Sequence, residues 1–85
     1  MAKMWITQEQ YSSLSWIGQE MHDYWMKEKP EMYQEMAQAG TLWPTLESED
    51  NRLYEMGANL VSVQGMAPDM VMDVVRAEIY GELTE

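Results

Sequence analysis

Gly40-Thr41-Leu42-Trp43-Pro44-Thr45-Leu46 is the clearest interruption in an otherwise helical pattern. Gly40 can take the left-handed conformation that closes a helix. Pro44 cannot continue a helix but suits the first turn of the next one. Leu42, Trp43 and Leu46 give the connection enough apolar surface to be buried. The stretch therefore predicts a turn on which two helix pairs fold together.

Upstream, Thr7-Gln8-Glu9-Gln10 reads as a capping box, with Thr7 capping a first-turn amide and Gln10 reaching back. Tyr11, Leu14, Ile17 or Gly18, Met21 and Trp25 then recur at helical spacing and predict one helix over about 8–28. Trp16, Tyr24 and Met26 fall beside that stripe. Pro30-Glu31 opens a second helix, about 31–39, with Met32 and Met36 inward, Tyr33 and Ala39 as further inner candidates, and Gly40 as its stop.

Downstream, Pro44 opens a third helix over about 45–64, with Leu46, Leu53, Met56 or Gly57, Leu60 and Val63 as its inner positions. Glu47-Ser48-Glu49-Asp50 leaves one of its turns without an apolar anchor. Ala67-Pro68-Asp69 begins a last helix, about 68–83, with Met72, Val75, Ile79 and Leu83 in one stripe and Val71 and Val74 flanking it. No segment alternates with period two between turn residues. The expected fold is all-α: a single domain over 1–85, a small bundle of about four helices in two hairpins.

The 85 residues bury only roughly 60–65% of their unfolded surface on folding. With no cysteine, neither a disulfide nor a thiolate metal site assists. Ten Met, four Trp, five Tyr and no Phe leave a Met-rich core as the plain reading. Met also makes adaptable binding surfaces, and Trp anchors interfaces, so Trp16, Trp25 and Trp43 are core or partner-binding candidates.

Fifteen acidic against five basic residues give a formal charge of −10. That field argues against direct binding to nucleic acid or an anionic membrane surface, which require basic patches. No apolar run approaches a membrane span, and the first residues are too interrupted for a secretory signal, so cytoplasmic residence is expected.

Catalytic chemistry finds little support. His22 is the one histidine, and any serine-based triad would depend on it. Its place between Met21 and Asp23 predicts a surface or rim position. The Glu-x-x-His pairs of a di-iron bundle are missing. Glu47, Glu49 and Asp50 lack the alternation and central Gly of a calcium loop. Neither a metal nor a cofactor is expected. What remains is surface: Glu31, Glu35, Glu47, Glu49 and Asp50 are the candidates for a charged face. Regularly spaced acids could mimic a nucleic-acid backbone and occupy a basic groove on another protein, or they could simply be solvated.

Lys27-Glu28, Met32-Tyr33, Gly40-Thr41-Leu42-Trp43-Pro44 with Leu46, then Asp50, and a Val75…Glu78-Ile79-Tyr80 ending together resemble the TnpV family of small proteins encoded on bacterial transposons. The likeness covers about residues 24–56 and the last helix. It implies a mobile-element context and transfers no catalytic residue. The expected function is non-enzymatic: an acidic phage or mobile-element protein binding a basic nucleic-acid-handling partner such as a defence nuclease, in the manner of anti-CRISPR or anti-restriction inhibitors. The alternative is a self-associating helical protein, a homodimer with a Trp/Met interface.

Overall fold

The computed structural model describes residues 4–81. Those residues form five helices and no strand: α1 (Gln8–Ser13), α2 (Trp16–Glu28), α3 (Pro30–Ala39), α4 (Leu42–Ser62) and α5 (Pro68–Gly81). The fold is all-α. Leu83, expected on the last inner stripe, lies outside the described residues. Among those described, no helix is long and apolar enough to cross a membrane.

The capping box forms as the sequence predicts. Gln10 N–H donates to the Thr7 hydroxyl at 3.0 Å, and Thr7 N–H donates to the Gln10 side chain at 2.9 Å. The single helix expected over 8–28 does not form. Leu14 is extended (φ −73°, ψ 148°), and α2 restarts with Ser15 as its N-cap. The cause lies far along the chain, in the Asp50 carboxylate of α4. Ser15 N–H and Gly18 N–H each donate to it at 3.0 Å, and the Ser15 hydroxyl donates to it as well. Ser15 Oγ in turn accepts Ile17 N–H at 3.2 Å. The Gln19 amide covers the end of α1, donating to the Tyr11 and Leu14 carbonyls at 3.1 and 3.3 Å. A carboxylate at a helix N-terminus also meets the positive end of the dipole. Serine bonds backbone groups at helix ends more readily than within helices, so Ser15 serves as the cap of a new helix rather than continuing α1.

Gly18 is required by this arrangement. A Cβ there would lie 2.9 Å from both Asp50 Cγ and Leu14 Cδ2.

At the other turns the prolines and glycines act as read. Gly40 is left-handed (φ 79°). Thr41 N–H reaches the Met36 carbonyl at 2.9 Å and Gly40 N–H reaches Ala37 at 3.2 Å, a Schellman pair. Pro30 is the first residue of α3, and Lys29 joins it directly to α2. The bounds of the third predicted helix move: α4 begins at Leu42 rather than 45, with Pro44 in its first turn, and ends at Ser62 rather than 64. First-turn amides have no intrahelical acceptor, so Pro forfeits nothing there. Between α4 and α5, Met66 N–H closes back on the Leu60 carbonyl at 3.0 Å.

The core draws on α2 to α5. Met21, Leu46, Leu53, Tyr33, Val75 and Ile79 are fully buried, with Ile17, Trp25, Leu42 and Val71 beside them. α2 packs against α3, α4 and α5. Gly57 of α4 faces Val71 and Val75, while Thr45 and Ser48 share a groove with Glu78 and Gly81, so α4 and α5 run in opposite directions.

Three inner positions differ from expectation. Val71, not Met72, continues the Val75–Ile79 stripe, and Val63 is 75% exposed at the end of α4. Asp50 fills the turn between Leu46 and Leu53 that lacked an apolar anchor. The core is not Met-rich either. Met21 is the fully buried methionine among those described, whereas Met26, Met32, Met36 and Met56 are half-buried and Met70 and Met72 exposed.

Replacing Asp50 by Ala strands three donors at the head of α2. Unfolding in urea should show a loss of about 3 kcal/mol, a large share of a total on the order of 4–10 kcal/mol. Glu47→Ala, on the exposed side of α4, should leave the midpoint nearly unchanged.

Candidate interaction surface

The five candidate acids do not share a face. Glu31 and Glu35 are exposed one turn apart on α3, and Glu47 is exposed on α4. Glu49 is half-buried and forms a two-point pair with Arg52 at 3.0 and 3.1 Å. Asp50 is 7% exposed and engaged with Ser15 and Gly18, so it is removed from the surface. Two residues along a helix are about 160° apart around its axis. Glu47 and Glu49 therefore lie on opposite flanks of α4.

Each flank borders a different groove. On the Glu49 side, Met32, Met36, Pro44, Thr45 and Glu78 line a groove of about 800 Å³ whose inner wall includes Trp25. On the Glu47 side, Trp16, Tyr54, Gly57, Val61, Pro68 and Met72 line a narrower, more apolar one of about 320 Å³.

The candidate tryptophans separate. Trp25 is core, and its buried indole N–H has no acceptor among the described residues. Trp43 is half-buried against the core. Trp16 is exposed, with the Arg76 guanidinium 5.8 Å from its ring centroid. Arg76 is held there by Glu20 at 3.1 Å, and Tyr80 donates to the same carboxylate at 3.3 Å. Met72, expected on the inner stripe of the last helix, instead joins Trp16 in the apolar groove, as do Tyr54 and Val61, which were not singled out by sequence. Their signal was weak, since each lies one position off an inner stripe.

His22 corrects the sequence reading most sharply. It is fully buried, not at a rim. Tyr11 and Tyr33 pack edge-on to its ring with centroids 5.3 and 5.2 Å away. Nε2 is 2.7 Å from the Tyr33 hydroxyl, and Nδ1 is 3.1 Å from Asp23 Oδ1. The Tyr33 oxygen also accepts Trp5 N–H at 2.9 Å, so its own proton is directed to Nε2. That assignment, inferred from the bonding pattern, puts the imidazole proton on Nδ1, facing Asp23. Tyr11 donates to the second Asp23 oxygen at 2.9 Å. Every polar atom of the ring is used, and none faces solvent. The network fastens the segment before α1 to α2 and α3. Among the described residues, no three His, Asp or Glu side chains converge as metal ligands.

Comparison with known proteins finds no matching family model, no matching curated protein and no matching solved structure.

Burial raises the Tyr33 hydroxyl above its ordinary value near 10, opposed by the Trp5 N–H and reinforced by the Asp23 charge. Burial likewise raises Tyr11, with its bond to Asp23 adding to the effect, and Tyr80, beside Glu20. The folded chain thus keeps these phenols neutral while the unfolded chain ionises near pH 10. Their contribution is fully present below about pH 10 and is lost as pH rises from there through the raised folded values. Alkaline titration should show tyrosinate absorbance growing together with loss of helical circular dichroism, and Tyr33→Phe should make stability less dependent on pH in that range.

Proposed function

We propose that this is a non-enzymatic, acidic interaction protein of a mobile genetic element or phage, cytoplasmic in location. It binds and inhibits or regulates a basic nucleic-acid-handling protein, in the way of anti-CRISPR or anti-restriction proteins that present a DNA-like surface. On this reading the frame is two helical hairpins, α2–α3 and α4–α5, joined at Gly40.

The observation that carries it is the distribution of charge. Of the acids described, all but Glu20, Glu49 and Asp50 are exposed, while Arg52 and Arg76 are engaged by Glu49 and Glu20. Most of the acidic charge among the described residues is therefore displayed outward, where it speeds encounter with a basic partner and repels nucleic acid itself. The burial of His22 and its saturated bonding leave it without access to a substrate, in keeping with a binding role. The resemblance of residues 24–56 to transposon-encoded TnpV proteins supports the mobile-element context.

The second reading is self-association, favoured by the exposed Trp16, Tyr54, Val61 and Met72. It must overcome the repulsion between two copies of charge −10.

The test leaves Asp50 intact, because its loss would act through folding. Glu31→Lys, Glu35→Lys and Glu47→Lys together take the net charge from −10 to −4, two units for each reversal. The wild-type protein should capture a basic nucleic-acid-binding protein from a bacterial lysate, releasing it at moderate salt or to competing duplex DNA. The triple variant should lose it. Capture unaffected by the three reversals would contradict charge mimicry, and sedimentation as a dimer at micromolar concentration would favour the second reading.

A further inference from the structure

We infer that the groove between α4, α5 and the head of α2 receives the apolar face of a basic amphipathic helix belonging to the protein partner. This deepens the reading above and rests on it.

Four large apolar side chains from three helices stand exposed around this one depression: Trp16 at 38%, Tyr54 at 57%, Val61 at 43% and Met72 at 38%. Scattered apolar side chains on a surface are ordinary, but convergence on a concave site marks an interaction surface. Gly57 lies in the groove, above Val71 and Val75. An added Cβ would sit 3.3 Å from Val71 Cγ1, and its absence deepens the groove. A volume of about 320 Å³ accommodates a few side chains of a helix laid along the groove, spaced at i, i+3 or i+4. Met and aromatic walls adapt well to such a stripe.

Charge selects the occupant. Glu47 lies two turns before Tyr54 in the same stripe of α4, and Asp69 precedes exposed Met72 by one turn of α5; both acids are exposed. Arg76, the cation on this side, is drawn to Glu20 and lies over Trp16. The apolar floor is thus flanked by negative charge, which complements an apolar stripe edged with Lys and Arg. A second copy of this chain would bring the same acidic rim against itself, because a two-fold interface pairs each patch with its own image.

The probe is a synthetic peptide of about 18 residues, with Leu at helical i, i+3, i+4, i+7 spacing and Lys elsewhere. A peptide of equal composition without that periodicity serves as control. Calorimetric titration should give tighter binding of the periodic peptide, with backbone amide shifts centred on Tyr54–Val61 and Pro68–Val75. Val61→Glu with Met72→Glu, both at exposed positions, should weaken it by about tenfold or more. These substitutions add negative charge, so weakening cannot come from reduced attraction. Equal affinity for the two peptides, unchanged affinity of the double variant, or shifts centred on α3 would overturn the inference. So would a wild-type dimer that the same substitutions dissociate, which would make the occupant a second copy. Lysate capture that survives Val61→Glu/Met72→Glu but fails with the Glu31, Glu35 and Glu47 reversals would leave the charged-surface reading standing and overturn this one.

Discussion

A carboxylate held inside the molecule organises much of what surrounds it. Asp50 accepts from Ser15 N–H, the Ser15 hydroxyl and Gly18 N–H, and so fixes where α2 begins and how closely α4 approaches it. Burying a charge is unfavourable unless hydrogen bonds replace its water. Here backbone donors and a helix dipole supply them. The break before Ser15 allows α1 to leave the axis of α2, and Gly18 keeps the contact close. With α2 anchored on α4, its inner stripe of Ile17, Met21 and Trp25 can meet α3, α4 and α5 together.

A second polar arrangement secures α2 one turn further along. His22 uses both ring nitrogens on Tyr33 and Asp23, Tyr11 donates to the same carboxylate, and Tyr33 accepts the Trp5 amide. Buried polar groups without partners would each cost on the order of 1–3 kcal/mol. The saturation explains how a helix of ordinary amphipathicity can bury histidine entirely. A core with one fully buried methionine among those described gains specificity from these directional contacts, since methionine itself imposes little geometry.

Local signals were legible in the sequence. Gly40, Pro30, Pro68 and the Thr7–Gln10 box act through neighbours a few residues away, so their types and spacing suffice to place helix ends. The partners of Asp50 and His22 were not legible, because Ser15 is 35 positions from Asp50 and Tyr33 is 11 from His22. Read locally, Asp50 belongs to an acidic run and His22 to a polar edge. The phase of α5 was missed by one residue, since Val71 and Met72 both extend an apolar stripe to Val75 and packing against Gly57 chooses between them. The apolar groove was invisible for the same reason: Trp16, Tyr54 and Met72 come from three helices and meet only in three dimensions.

The same distinction sorts the acids into two uses. Asp50 and Glu20 hold helices together, and Glu49 closes on its neighbour Arg52, while Glu31, Glu35 and Glu47 project into solvent. A surface account of the charge depends on that division being right, and its most exposed point is the interrupted helix at Ser15. Backbone carbon chemical shifts through residues 8–28 test it directly. Extended values at Leu14 and Ser15 between two helical runs are predicted, with Ser15 and Gly18 amides protected from exchange. Helical values running unbroken through Leu14 and Ser15 would return Asp50 to the surface and contradict the account.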